Sequence, residues 1–231
     1  MLRLVGFFLL ALALASVLGH VPLIGPFFQH TGIFGILIAS ALLSALFSWW
    51  GNRLYRRRKS QNELRSLAAV DSAHNHGKMG VLLLASGRTR AALEHLELAT
   101  AGEPAVAEWH FRLAQARFAR GAAGPALEAL ERCLAVDEEH GYGSAQKLHA
   151  ALLQRLGRPE QALAALDTLE KNHGPSAESA HRRGQALRAL GRREEARRAF
   201  AEAVELAARA TRYQRSDAAL WALRARLARY L

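Results

Sequence analysis

Two hydrophobic patterns divide the chain. From Leu4 to Leu18 no residue is charged, and apolar character resumes through Val21 to Ile24 after Gly19 and His20. From Thr31 to Trp50 the run TGIFGILIASALLSALFSWW is again uncharged. A bilayer-spanning helix needs roughly 20 apolar residues at about 1.5 Å each, so the pattern predicts two transmembrane helices, about 4–24 and 31–50. Pro22, Gly25 and Pro26 between them signal a turn, which makes the pair a helical hairpin. Small residues four apart, Ala11, Ala15 and Gly19 in one run and Ser40, Ser44 and Ser48 in the other, would let two such helices approach closely. A second reading of the first run also stands: Arg3, the apolar Leu4 to Leu12 and Ala13-Leu14-Ala15 have the order of a cleavable signal peptide.

After residue 50 the pattern changes to the helical period with alternating charge. A basic stalk, 51–72, opens with Arg53, Arg56, Arg57, Arg58 and Lys59, whereas the turn between the two runs has no Lys or Arg. The positive-inside rule then places everything beyond residue 50 in the cytoplasm, on a membrane anchor of the bacterial inner-membrane kind.

The rest of the chain repeats itself. Gly87, Gly121, Gly157 and Gly191 are spaced by 34, 36 and 34 residues. Each is followed at fixed offsets by Ala92, Ala126, Ala162 and Ala196, then by Leu96, Leu130, Leu166 and Phe200, then by Ala99, Cys133, Leu169 and Ala203. A glycine between two apolar-periodic stretches takes the positive φ that ends a helix, so each unit predicts helix, tight turn, helix. Four units follow, about 73–106, 107–140, 143–176 and 177–208, with a two-residue insertion around His140 to Gly143 before the third. The segment 209–231, with Ser216 and Asp217 before Leu220, Trp221, Leu223, Leu227 and Tyr230, reads as a helix capping the last apolar face. The predicted fold class is all-α: the hairpin, an α-solenoid of four helix pairs and the capping helix.

These marks resemble the tetratricopeptide repeat (TPR) family over about 73–208. Gly80, Ala114, Ala150 and Gly184 stand at its small first-helix position and Pro104 at its terminal proline. The aromatic early in the first helix is displaced to Trp109 in the second unit and absent from the others. The resemblance implies a concave groove, lined by the first helices, that receives a peptide or partner helix. Carried over position by position, its candidates are Val81, Leu84, Phe111, Gln115, Phe118, Lys147, Gln154, Arg155, His181, Gln185 and Arg188. That surface runs from apolar to basic and suits a partner protein with an acidic segment; Phe111 and Phe118 equally suit the role of filling gaps between repeats. Gly77 and Val81 stand where the carboxylate clamp of heat-shock co-chaperones needs Lys and Asn, so that activity is not implied.

Composition adds little chemistry. The single cysteine, Cys133, excludes an internal disulfide framework and multi-cysteine zinc sites. His74 and His76 are two apart on a helix and point to different faces, without a third ligand. No phosphate loop or nucleophile elbow is present, and the chain is read as a non-enzymatic scaffold with no cofactor and no metal. Net charge is +11 over 231 residues, and residues 177–231 hold thirteen Arg against six acids. A nucleic-acid or anionic-lipid site in that Arg-rich repeat is the alternative function; the arginines spread round the helices without exposed aromatics between them, which argues against nucleic acid.

Overall fold

The computed structural model describes the backbone of residues 25–229, together with residues 6, 9, 13, 16, 17 and 20. The chain divides into two compact units, Met1–Arg65 and Ser66–Leu231. Among the described residues all regular structure is helical.

Helix α1 (Gly25–Ala68) supplies most of the described part of the first unit. Pro26 lies inside this helix and is therefore not the turn residue expected. The expected first span, 4–24, falls mostly outside the described residues. The expected second span, 31–50, is contained in α1, which continues without a break through Arg53, Arg56, Arg57, Arg58 and Lys59. Beyond residue 50 the helix carries seven charged residues, Arg53, Arg56, Arg57, Arg58, Lys59, Glu63 and Arg65. Among the described residues no helix is long and apolar enough to cross a membrane. The transmembrane hairpin is therefore not supported, and the membrane location with cytoplasmic repeats that follows from it is corrected. The Arg53 guanidinium lies over the Trp49 ring, 5.4 Å from its centroid, and Arg58 and Lys59 are exposed.

The second unit is a solenoid of antiparallel helix pairs. Their order is α2 (Ala73–Ala85) with α3 (Thr89–Gly102), α4 (Ala107–Ala119) with α5 (Ala123–Val136), α6 (Ser144–Arg155) with α7 (Pro159–His173), and α8 (Ala177–Ala189) with α9 (Arg193–Ala208). A last helix, α10 (Arg215–Ala228), packs on both α8 and α9. Each helix also packs on the next in sequence, and α2 touches α4 as α6 touches α8, so the first helices of successive pairs run parallel.

The turn inside each pair is built the same way. Gly87, Gly121, Gly157 and Gly191 have φ of 79, 81, 68 and 76°. The N–H of the following residue reaches back to close the helix: Arg88 to Leu83, Ala122 to Arg117, Arg158 to Leu153 and Arg192 to Leu187, at 2.9, 3.0, 2.9 and 2.9 Å. This six-to-one bond satisfies a carbonyl left open by the helix end. A Cβ on any of these four glycines would meet nothing within 4 Å, so only backbone strain opposes a side chain. Gly157→Ala is expected to lower stability by about 1–2 kcal/mol, read as a shift in urea midpoint.

Within each pair a small residue faces a large one. A Cβ on Gly80 would lie 2.5 Å from Leu96 Cγ, and one on Gly184 would lie 2.5 Å from Phe200 Cε1. In the middle pairs Ala114 and Ala150 take that place, opposite the fully buried Leu130 and Leu166. Cys133 is fully buried, and burial pushes its thiol up to about 12, so it packs as a small apolar side chain.

Candidate protein-interaction surface

The first helices α2, α4, α6 and α8 carry every candidate groove residue, because each begins one antiparallel pair and the pairs stack in register. Along α2, Val81 and Leu84 are half-buried. Gly77, one turn earlier, has no room for a side chain: a Cβ there would lie 2.5 Å from the Trp109 indole. That indole donates from Nε1 to Glu103 Oε2 at 2.7 Å.

On α4, Phe111 is buried at 5% exposure and its ring meets His140 edge-on at 5.2 Å, whereas Gln115 and Phe118 are half-buried. Arg112 ties this stretch together. Its Nε donates to Glu108 Oε1 at 2.6 Å and its Nη1 to Gln115 Oε1 at 3.0 Å. The other Glu108 oxygen, Oε2, lies 2.9 Å from His140 Nε2.

On α6, Lys147 and Gln154 are half-buried and Arg155 is exposed. Gln154 crosses to the next pair, donating from Nε2 to the Arg182 carbonyl at 2.5 Å. On α8, Gln185 and Arg188 are exposed, but His181 is buried at 3%. Its ring lies 5.4 Å from both Phe200 and Trp221, and its Nδ1 has no hydrogen-bond partner. Burial first, and then the positive charges of Arg182, Arg224 and Arg188, push its pKa down to about 4.

The sequence marks Trp221, on α10, only as an apolar residue of the cap. It is held between guanidiniums, with Arg224 at 4.6 Å and Arg182 at 5.1 Å from its ring centroid. Arg182 is in turn paired with Glu178 at 2.9 Å. The signal for these clamps is present in the sequence: Glu108 with Arg112 and Glu178 with Arg182 are i,i+4 pairs at equivalent places in the second and fourth units. Lys147, Ala177, Glu178 and Trp221 help to line a hollow of about 440 Å³ at the starts of α6, α8 and α10.

The histidines divide as their spacing implies. His74 stacks edge-on with Trp109, whereas His76 pairs with His95, Nδ1 to Nδ1 at 2.8 Å, and with Asp71. Among the described residues no group of three or more His, Cys, Asp or Glu is placed to hold a metal ion. Of the C-terminal arginines, Arg182, Arg183, Arg192 and Arg197 are in ion pairs with Glu178, with Asp167 and Glu170, with Glu195 and with Glu194 respectively.

Solved structures share this arrangement. MamA matches with a TM-score of 0.58 and 22% identity, over 63% of this chain and 85% of that one. TTC0263, a thermophilic TPR protein in Thermus thermophilus, matches with a TM-score of 0.54 and 20% identity, over 77% and 96%. YrrB, described as a TPR protein with an unusual peptide-binding site, matches with a TM-score of 0.52 and 20% identity, over 65% and 74%. At these identities the likeness is one of fold. No curated protein matches the chain in sequence. The family pattern described as a tetratricopeptide repeat-like domain matches residues 26–220, and with the glycine turns and small-to-large pairs just described it places the chain in the tetratricopeptide repeat-like family.

Proposed function

We propose that the chain is a protein-interaction scaffold that binds an extended or helical segment of a partner along its first helices. The TPR fold is typically non-catalytic, and interaction is its usual work. In this reading the four pairs are repeats with bounds near 73–106, 107–140, 143–176 and 177–208, and 209–231 caps them. Val81, Leu84 and Phe118 would meet the apolar part of the segment, and Lys147, Arg155 and Arg188 its acidic part. Phe111 and His181, being buried, would shape the surface from beneath. The carrying observation is the 440 Å³ hollow at the starts of α6, α8 and α10, where Lys147 and the clamped Trp221 stand together. It has room for more than one side chain of a bound peptide.

The test is a photo-crosslinking residue placed at Gln185 in the full chain, in its native cell, with the exposed Arg132 on α5 as the control position. An adduct from Gln185 that disappears with Lys147→Glu and Arg188→Glu is the expected result. Adducts that ignore both substitutions would refute the groove.

A further inference from the structure

The alternation of antiparallel helices puts the end of every first helix, the glycine turn and the start of every second helix on one edge of the solenoid. That edge is strongly basic. Arg88, Arg90, Arg120, Arg158 and Arg193 stand on it, all exposed. None of the five has an ion-pair partner among the described residues, although Arg192 beside them is held by Glu195 at 2.6 Å. The opposite edge, at the first two loops between pairs, carries Glu103, Asp137, Glu138 and Glu139. Across its first two pairs the solenoid is therefore polarised, whereas the loop after α9 carries Arg209 and Arg212; this polarity is invisible in the net charge and separate from the groove. Between the first two turns Arg88, Arg90 and Arg120 surround a surface hollow of about 530 Å³ with Thr89, Ala91 and Glu94.

We propose that this turn edge is a second docking surface, and that its occupant is an acidic protein segment. Exposed guanidiniums without partners keep all their forked donors for bidentate bonds to carboxylates. Glu94, Glu160, Glu194 and Glu195 are interspersed among them. A nucleic-acid backbone, with one charge per roughly 1.7 Å of duplex axis, would run onto those carboxylates. Acidic side chains spaced along a polypeptide pass between them. The edge also offers no exposed aromatic side chain on which bases could stack.

The experiment uses the full-length chain with fluorescein-labelled poly-L-glutamate as the probe, followed by anisotropy at low and moderate salt. The edge variant carries Arg88→Glu, Arg90→Glu, Arg120→Glu and Arg158→Glu. A control variant makes the same change of net charge at exposed positions elsewhere, Arg65→Glu, Arg132→Glu, Lys171→Glu and Arg226→Glu. Circular dichroism checks that both fold. The proposal expects binding that weakens with salt, a loss of at least tenfold in the edge variant and less than threefold in the control. Equal losses in the two variants would show attraction to net charge alone and overturn it. Duplex DNA bound more tightly than poly-L-glutamate and lost with the edge variant would overturn it in favour of nucleic acid. Salt-sensitive self-association that the edge variant abolishes, without poly-L-glutamate binding, would assign the edge to a second copy of the chain and overturn it too. Loss in the Lys147→Glu and Arg188→Glu variant, with the edge variant unaffected, would remove the edge and leave the groove standing.

Discussion

Replacing Phe200 with Ala is expected to lower stability by about 3–5 kcal/mol, the usual cost of emptying a buried aromatic site. Phe200 is 1% exposed and sits in a cluster with Ala180, Leu187, Ala196, Ala199, Ala203 and Ala225. Most of these neighbours are alanines, which cannot rotate a side chain into the space left behind, so the cavity would persist. The ring also lies against Gly184 and His181 of the paired helix, and the Arg188 guanidinium lies 5.8 Å from its centroid. One side chain thus joins α8, α9 and α10. In a solenoid each unit touches only its neighbours, so the loss should be local: amide exchange should accelerate in α8, α9 and α10 and stay slow in α2 and α3. Leu223→Ala, at a 54% exposed position on α10, should cost less than about 0.5 kcal/mol. Equal effects of the two substitutions would mean that Phe200 does not organise the C-terminal end.

The features legible in the sequence are those that each unit must satisfy alone. Gly87, Gly121, Gly157 and Gly191 need a positive φ, and Ala92, Ala126, Ala162 and Ala196 need to be small where helices cross; both demands recur at every period. The insertion before the third unit is legible as an irregularity, and its backbone is unusual. Gly141, Tyr142 and Gly143 all have positive φ, and a Cβ on Gly143 would lie 2.7 Å from His173. Features that depend on the irregular insertion or on the cap are not legible. Phe111 and His181 hold first-helix positions that the family pattern turns toward the groove. Whether such a side chain is covered depends on His140 in one case and on Trp221 in the other, dozens of residues away and outside the period. The N-terminal region departs from its expected form for another reason. Apolar runs and a proline suggest spans and a turn, but Pro26 lies inside a helix, and α1 does not end where its apolar run ends.

The second large effect expected is acid destabilisation through His181. Its pKa of about 4 in the folded chain compares with 6.5 for an ordinary histidine. A lowered pKa means that the unfolded chain binds the proton more readily, so falling pH favours unfolding. The stability this histidine retains is complete above about pH 6.5 and is lost as pH falls toward 4. At completion the loss is about 3 kcal/mol by linkage, and about 2–3 kcal/mol of it should appear between pH 7.5 and 4.5. Geometry gives the reason: the ring is enclosed by Phe200 and Trp221, its Nδ1 is unpartnered, and Arg182, Arg224 and Arg188 repel a charge placed there. His95 and His149, also held low by burial, act in the same direction and set a background slope. His181→Leu should therefore remove most of the His181 share while leaving that background. Urea midpoints of both proteins at pH 7.5 and 4.5 give the comparison. A variant that loses as much stability as the parent on acidification would show that His181 is protonated in the folded chain without penalty, and that the C-terminal aromatic cluster admits a charge.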